Sequence, residues 1–328
     1  MRAERNQTTL AAPCTVSGRG YWTGQVNDLT FLPAPADCGI RFVRTDLPGR
    51  PSVLAVAENR ASMPLRTRLT RGRAEVDMVE HVLAALHGLQ IDNAIVHCTA
   101  SEMPAMDGSS FAFALALENA GRCQLPAPRA TLLLDRTIRV GDERQWIVAE
   151  PLQAHSPNSE TYGRPSSQTL SLLSRHLELE YRLDFGSASP ILKANYGIRL
   201  QSHEFLDRIS AARTFIGVDT ARQLQSQGMA LHVTEQDLIV FDQHGPVNNS
   251  LRYPDECARH KLLDLVGDLA LTGIDVVGRI TAHRGGHQLN GELAASLREL
   301  YLQKTAHRAV AAVVENASAA APKAKLAA

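Results

Sequence analysis

Apolar and polar residues alternate in several short stretches near the start of the chain. Thr8–Val16, Asp28–Leu32 and Gly39–Arg44 read as strands on this pattern, with Pro33–Asp37 turning between the last two. The period then changes: Val79, Leu83 and Leu86 recur at near-helical spacing, so Val76–Leu89 reads as a helix with Gly88 near its end. Ile91–Cys98 follows as a strand and Ser109–Ala120 as a second helix closed by Gly121. The order then repeats. Ala130–Val140 pairs with Gln145–Glu150, and Leu177–Phe185 with Ile191–Leu200, ahead of helices at Glu204–Thr214 and Arg222–Gln227 and a strand at Asp237–Phe241. A long helix from Pro254 to Leu271, a strand Asp275–Ala282, a Gly-rich turn and a helix Asn290–Gln303 complete the pattern.

Two passages lie side by side. Glu80-His81, helix, Gly88, Ile91-Asp92 and strand match Arg259-His260, helix, Gly273, Ile274-Asp275 and strand, which implies a duplicated αβα unit preceded by strands. The expected fold is α+β, two similar domains of layered sheet and helix, with the cleft between them as the natural ligand site. The domains are expected at 1–127 and 128–311, joined near Gln124–Arg129, whose two prolines cannot continue a helix. Ala154–Ser171, rich in Ser, Pro, Asn and Gly, reads as a surface loop or insertion, and the Ala/Lys/Pro-rich 312–328 as a disordered tail.

At 328 residues the chain is long enough for two cores. Its 34 Lys+Arg balance 34 Asp+Glu, and no basic patch interleaved with aromatics stands out, so a nucleic-acid partner is not expected. No apolar run approaches the ~20 residues of a membrane span, and Met1–Thr9 is polar without a signal-peptide core, so a cytoplasmic location is expected. The 5 cysteines are scattered, odd in number and without CxxC spacing, which argues against both a disulfide framework and a thiolate zinc site.

The candidate chemistry is carried by histidines and acids. His260, Asp264 and Asp268 recur every four residues and occupy one stripe of their helix, while Leu262, Leu263, Val266 and Leu269 gather opposite. An imidazole and a carboxylate one turn apart can share a metal ion; an exposed face carrying a His and two acids is the ordinary alternative. His81 has Ala84, Ala85 and Gly88 on roughly its own face, which lets another element approach. Glu80 directly before it fits the logic of zinc hydrolases, in which the His binds metal and the carboxylate takes a proton from water, although an ordinary helix start has the same residues. The turn His283-Arg-Gly-Gly-His287 brings histidines and Arg284 where the backbone can approach an anionic ligand, or is simply a tight turn with exposed histidines. The acids of the matching turn, Glu102 and Asp107, are read as structural.

Val79-Glu80-His81, Ile91-Asp92-Asn93, Glu102-Met-Pro-Ala-Met-Asp-Gly-Ser109, Ala212-Arg-Thr-Phe215, Arg259-His-Lys-Leu-Leu-Asp264 with Gly267-Asp268, and Gly286-His-Gln-Leu-Asn290 stand in this order. Over about Gln7 to Gln303 the chain resembles the UDP-3-O-acyl-N-acetylglucosamine deacetylases, zinc amidases of lipid A biosynthesis. The resemblance implies helices sandwiched between two sheets and zinc (Zn2+) on His81, His260 and Asp264. It implies Glu80 as general base, His287 as the charged partner of the oxyanion or leaving amine, and Asp268 as the orienter of His287. Thr214 would donate to the oxyanion, Lys261 would meet the phosphate side, and Phe215 would contact the sugar or nucleotide. The implied substrate is a UDP-sugar bearing a fatty acyl chain, for which peripheral membrane association is a further expectation; the oligomeric state is left open. Another acylated amino sugar, or a non-catalytic binding role, are the alternatives. The chain departs from the family pattern at Trp22 (customarily His), at Asp77-Met78 (Ser-Thr) and at His232-Val233-Thr234 (Gly-Gly-Ser), departures that bear on substrate fit.

Overall fold

A computed structural model describes residues 5–152, 176–187 and 189–320, with side chains as far as His307. The duplication is visible in strand order. The first half contributes β2 (Cys14–Arg19), β3 (Val26–Pro33), β4 (Ile40–Arg44), β5 (Ser52–Leu54) and β9 (Ala94–Cys98), arranged β2-β3-β9-β4-β5. The second contributes β12 (Ile138–Gly141), β13 (Trp146–Glu150), β14 (Leu177–Leu183), β15 (Ala194–Arg199) and β19 (Asp275–His283), arranged β12-β13-β19-β14-β15. In both sheets the last strand inserts at the centre, antiparallel to one neighbour (β3, β13) and parallel to the other (β4, β14).

The helices before and after each central strand correspond as well. These are α1 (Glu80–Gly88) and α2 (Phe111–Ala120) in the first half, and α5 (Glu256–Leu269) and α6 (His287–Ala320) in the second. Each half also places a small sheet ahead of the helix that leads into its central strand. One is β6 (Arg60–Ala61), β7 (Arg68–Arg71) and β8 (Ala74–Asp77); the other is β16 (Phe215–Gly217), β17 (Ile239–Asp242) and β18 (Gly245–Pro246), which is accompanied by α3 (Ser202–Arg208) and α4 (Val218–Ser226). The expected α+β class with two similar layered halves is the observed one.

Helix α1 crosses α5 at the centre, with α5 also on β14 and β15 and α2 on β2. The crossing is close because Gly267 has no side chain: a Cβ there would lie 2.0 Å from the Glu80 carbonyl oxygen and 3.2 Å from the Ala84 nitrogen. The corresponding Ile-Asp turns of the two repeats also meet. Arg5 binds Asp92 at 2.6 Å and Asp275 at 2.8 Å, and Arg129 binds the same two carboxylates at 3.0 and 3.1 Å.

His87, in the last turn of α1, lies beside this cluster. Burial, together with the positive Arg129 and Arg5, outweighs the attraction of Asp275 and Asp92 and depresses its pKa from 6.5 to about 4. The folded state therefore binds fewer protons at this site than the unfolded state between those values. The stability it contributes is full above pH 6.5 and is lost as pH falls toward 4. Thermal melts across that window should show Tm falling less steeply with acidification for His87→Gln than for wild type; parallel curves would remove His87 from the account.

Several expected boundaries move. Thr8–Val16 is two strands, β1 (Asn6–Leu10) and β2, broken before Cys14 where Pro13 cannot continue the ladder. Val76–Leu89 starts as β8 and turns into a helix only at Glu80, because Met78 adopts φ 60°. Ala130–Val140 divides into β11 (Thr131–Leu133), which runs parallel to β19, and β12, which pairs with β13. The expected linker at Gln124–Arg129 lies mostly within β10 (Arg122–Pro128), which among the described residues pairs only with β1, so its prolines sit in a two-stranded ribbon and break no interior ladder. Glu204–Thr214 is helical only to Arg208. The last helix begins at His287 and continues to Ala320, through residues 312–320 where a disordered tail was expected. Residues 321–328 and the expected loop at Ala154–Ser171 lie outside the described residues.

Candidate active site

His81 stands at the start of α1, and His260 and Asp264 stand one turn apart on α5, so the helix crossing brings the three together. One ligand atom from each lies within 4.8 Å of the others. His81 Nε2 and His260 Nε2 are 3.6 and 3.4 Å from Asp264 Oδ1. That oxygen is buried and has no hydrogen-bond partner among the described residues. An orphaned carboxylate oxygen facing two imidazole nitrogens is what a cation site requires.

His260 directs Nδ1 to the Ala212 carbonyl at 3.1 Å, which leaves Nε2 toward the cluster. Burial depresses its pKa to about 3, so the ring is neutral, as a ligand must be. Burial alone would raise Asp264, yet His260, Lys261 and His287 hold it well below the usual carboxylate range. The stripe on α5 is not an exposed polar face: His260, Asp264 and Asp268 are all buried.

Glu80 and His287 complete the constellation. Glu80 Oε2 accepts the Thr67 N–H at 3.0 Å, and burial raises this carboxyl above its ordinary range. His287, the first residue of α6, contacts Asp268 Oδ2 through Nδ1 at 2.9 Å, with its Nε2 3.7 Å from Asp264 Oδ2. Burial opposes its charge, but Asp268 and Asp264 outweigh that and raise its pKa to about 9. Asp268 also accepts from Asn290 Nδ2 at 2.9 Å and from Thr67 Oγ1 at 2.5 Å.

Glu80, His81, His260, Asp264 and His287 line one cavity of about 1200 Å³, and Asp268 stands behind His287. Thr214, Phe215 and Lys261 line it too. Thr214 and Phe215 follow Arg213, whose guanidinium forms a buried ion pair with Glu256 at 2.8 Å and joins the Ala212–Phe215 segment to the first turn of α5, the helix that carries Lys261. Phe215 stands edge-on to His260 and Phe241. Lys261 directs its ammonium to Asp264 Oδ2 at 2.9 Å and so is tied to the cluster.

One wall, from the β12–β13 and β19–α6 turns, carries Arg144 and Arg284. Another, from β16, α4, β17 and the segments beside them, is mainly apolar, with Ile216, Leu224, Val233, Leu238 and Val240, although Arg222, Gln225 and Glu235 line it as well. The departures noted in the sequence fall into two groups. Trp22 lines the cavity under Arg66, which binds Asp77, and Met78 lines the cavity beside them. Val233 lines the apolar wall, while His232 packs over Gly24 with Nε2 on the Gly20 carbonyl. Glu102 accepts from the Trp22 and Thr23 amides, in keeping with a structural role. Thr67 escaped the sequence reading, and nothing in its local pattern marks it, because its partners lie in other segments.

A buried His-His-Asp triangle able to hold a cation, with a further buried carboxylate, Glu80, on the same cavity, is an arrangement that can activate water. The class is that of a metal-dependent hydrolase. Residues 7–299 match the model of the family described as UDP-3-O-acyl N-acetylglycosamine deacetylase. The UDP-3-O-acyl-N-acetylglucosamine deacetylase of Anaeromyxobacter dehalogenans (strain 2CP-C) is 35% identical over 325 residues, covering 99% of this chain and 96% of the relative. That of Myxococcus xanthus (strain DK1622) is 34% identical over 290 residues, 88% and 85% of the two chains. That of Psychrobacter cryohalolentis is 32% identical over 296 residues, 89% and 85%. The chain belongs to the UDP-3-O-acyl-N-acetylglucosamine deacetylase family.

Proposed function

We propose that this enzyme hydrolyses the acetamide of a UDP-3-O-acyl-N-acetylglucosamine, releasing acetate and leaving the free 2-amino sugar, a step of lipid A biosynthesis. The observation that carries the reading is the orphaned, buried Asp264 Oδ1 facing His81 and His260 in a cavity that also holds Glu80 and His287. Two histidines and a carboxylate suit Zn2+ and leave a fourth position open. Bound there, the ion supplies Lewis acidity, polarising an amide carbonyl and lowering the pKa of water to ~7.

The rest is done by side chains. Glu80, with Oε2 held by the Thr67 amide, accepts the proton of the attacking water on its remaining oxygen. His287, kept charged by Asp268, donates from Nε2 to the developing oxyanion or to the leaving amine. The Thr214 hydroxyl is a second donor; a single donor of this kind contributes ~3 kcal/mol. Phe215 packs on the sugar, and Lys261, Arg144 and Arg284 offer positive charge to the diphosphate. The apolar wall takes the acyl chain, where each buried CH₂ contributes ~0.8 kcal/mol. Leu65 and Phe185 are exposed at the cavity, suited to contact with a membrane surface from which such a chain is drawn. Among the described residues no helix is long and apolar enough to cross a membrane. The free thiols at all five cysteines fit work in the cytoplasm.

The test is acetate release from the UDP-3-O-acyl-N-acetylglucosamine by zinc-loaded protein, set beside metal analysis. His81→Ala and Asp264→Ala are expected to lose bound zinc and turnover together. Undiminished zinc in either variant removes that residue as a ligand, and no acetate from loaded wild type rejects the reaction.

A further inference from the structure

We infer that Thr67 is a positioning residue that couples the proton acceptor of one half of the molecule to the proton donor of the other. The inference rests on the roles proposed above for Glu80 and His287. Thr67 is fully buried, immediately before β7, and each of its polar groups is engaged. Its N–H donates to Glu80 Oε2 at 3.0 Å, and its carbonyl accepts from the Val79 amide at 3.2 Å, directly before Glu80 in the chain. Its hydroxyl donates to Asp268 Oδ1 at 2.5 Å and lies 3.4 Å from His287 Nδ1. The main chain of this one residue therefore holds the base, and its side chain holds the carboxylate that orients the acid.

Asp268 depends on that hydroxyl for the pairing of one of its oxygens. Its Oδ2 takes His287 Nδ1 and Asn290 Nδ2, while the Thr67 hydroxyl is the donor found on Oδ1 among the described residues. Without it, a buried carboxylate oxygen is left unpaired and the carboxylate is free to rotate away from the imidazole. Thr67 is itself fixed from both sides. The guanidinium groups of Arg66 and Arg68 converge on Asp77 Oδ2 at 2.9 and 2.7 Å, across the β7–β8 pairing of Arg68 with Asp77. Asp77 thus acts on the site through the two arginines that hold the intervening threonine inward.

Thr67→Val and Thr67→Ser separate this role from packing. Valine keeps the volume and removes the hydroxyl; serine keeps the hydroxyl and removes a methyl group. Positioning requires Thr67→Val to lose ~10–100-fold in kcat, the range for residues that orient catalytic groups, with KM changed less than ~3-fold. Zinc content should be unchanged and Thr67→Ser should stay within ~3-fold of wild type. A packing role reverses the order, with serine the worse of the two, and that result overturns the inference.

A second readout is independent of turnover. The ring proton His287 shares with Asp268 should give a slowly exchanging downfield NMR signal in wild type and Thr67→Ser. It should be lost or broadened in Thr67→Val, and an unchanged signal there counts against the inference. If Thr67→Val does not fold, the serine variant still decides, because loss of both kcat and the downfield signal in folded Thr67→Ser is incompatible with a role carried by the hydroxyl. Were wild type to release no acetate, the proposed reaction would fail while the NMR comparison still tested the geometry at Thr67.

Discussion

Glu80→Gln should retain its zinc and lose ~10²–10⁴-fold in turnover, the range that follows removal of a general base. Glutamine preserves the volume at the start of α1, and its amide can orient its oxygen to the Thr67 N–H, so the fold should survive. What disappears is a carboxylate able to take a proton. The cation triangle of His81, His260 and Asp264 does not include Glu80, which is why metal and activity should separate in this variant and fall together in His81→Ala. Loss of zinc from Glu80→Gln would instead make Glu80 a ligand, and full turnover would assign the base elsewhere.

Gly267→Ala should have an effect of comparable size from a single methyl group. No real Cβ sits 2.0 Å from a carbonyl oxygen, so α1 and α5 must part. Overpacking of this kind costs ~1–3 kcal/mol. The larger consequence is geometric. Glu80 and His81 ride on α1 while His260 and Asp264 ride on α5, and a misplacement of about 1 Å is enough to cost ~10²-fold in rate. Zinc content, kcat and Tm should all decline in Gly267→Ala. Wild-type values for all three would mean that the crossing has slack and that the site is not set by it.

What the sequence determined lies within short reach along the chain. A helix of 3.6 residues per turn places His260, Asp264 and Asp268 on one stripe wherever the helix ends up, so their companionship was legible from spacing. The repeated His-helix-Gly-Ile-Asp-strand pattern likewise foretold two equivalent halves, because each copy carries the same local instructions; the shared strand orders β2-β3-β9-β4-β5 and β12-β13-β19-β14-β15 appear only in the structure. Ala84, Ala85 and Gly88 beside His81 signalled a close neighbour, though not which one. Tertiary structure decided the rest. Whether the α5 stripe faced water or the interior depended on α1 packing across it, and periodicity says only that a stripe has two sides. Met78 held a left-handed conformation inside an apparently helical run, set by its surroundings against local preference. Thr67 meets Asp268 across 201 residues of sequence, and Arg5 meets Asp275 across 270. Such contacts follow from how two folded halves dock, and no local period of hydrophobic and polar residues encodes them.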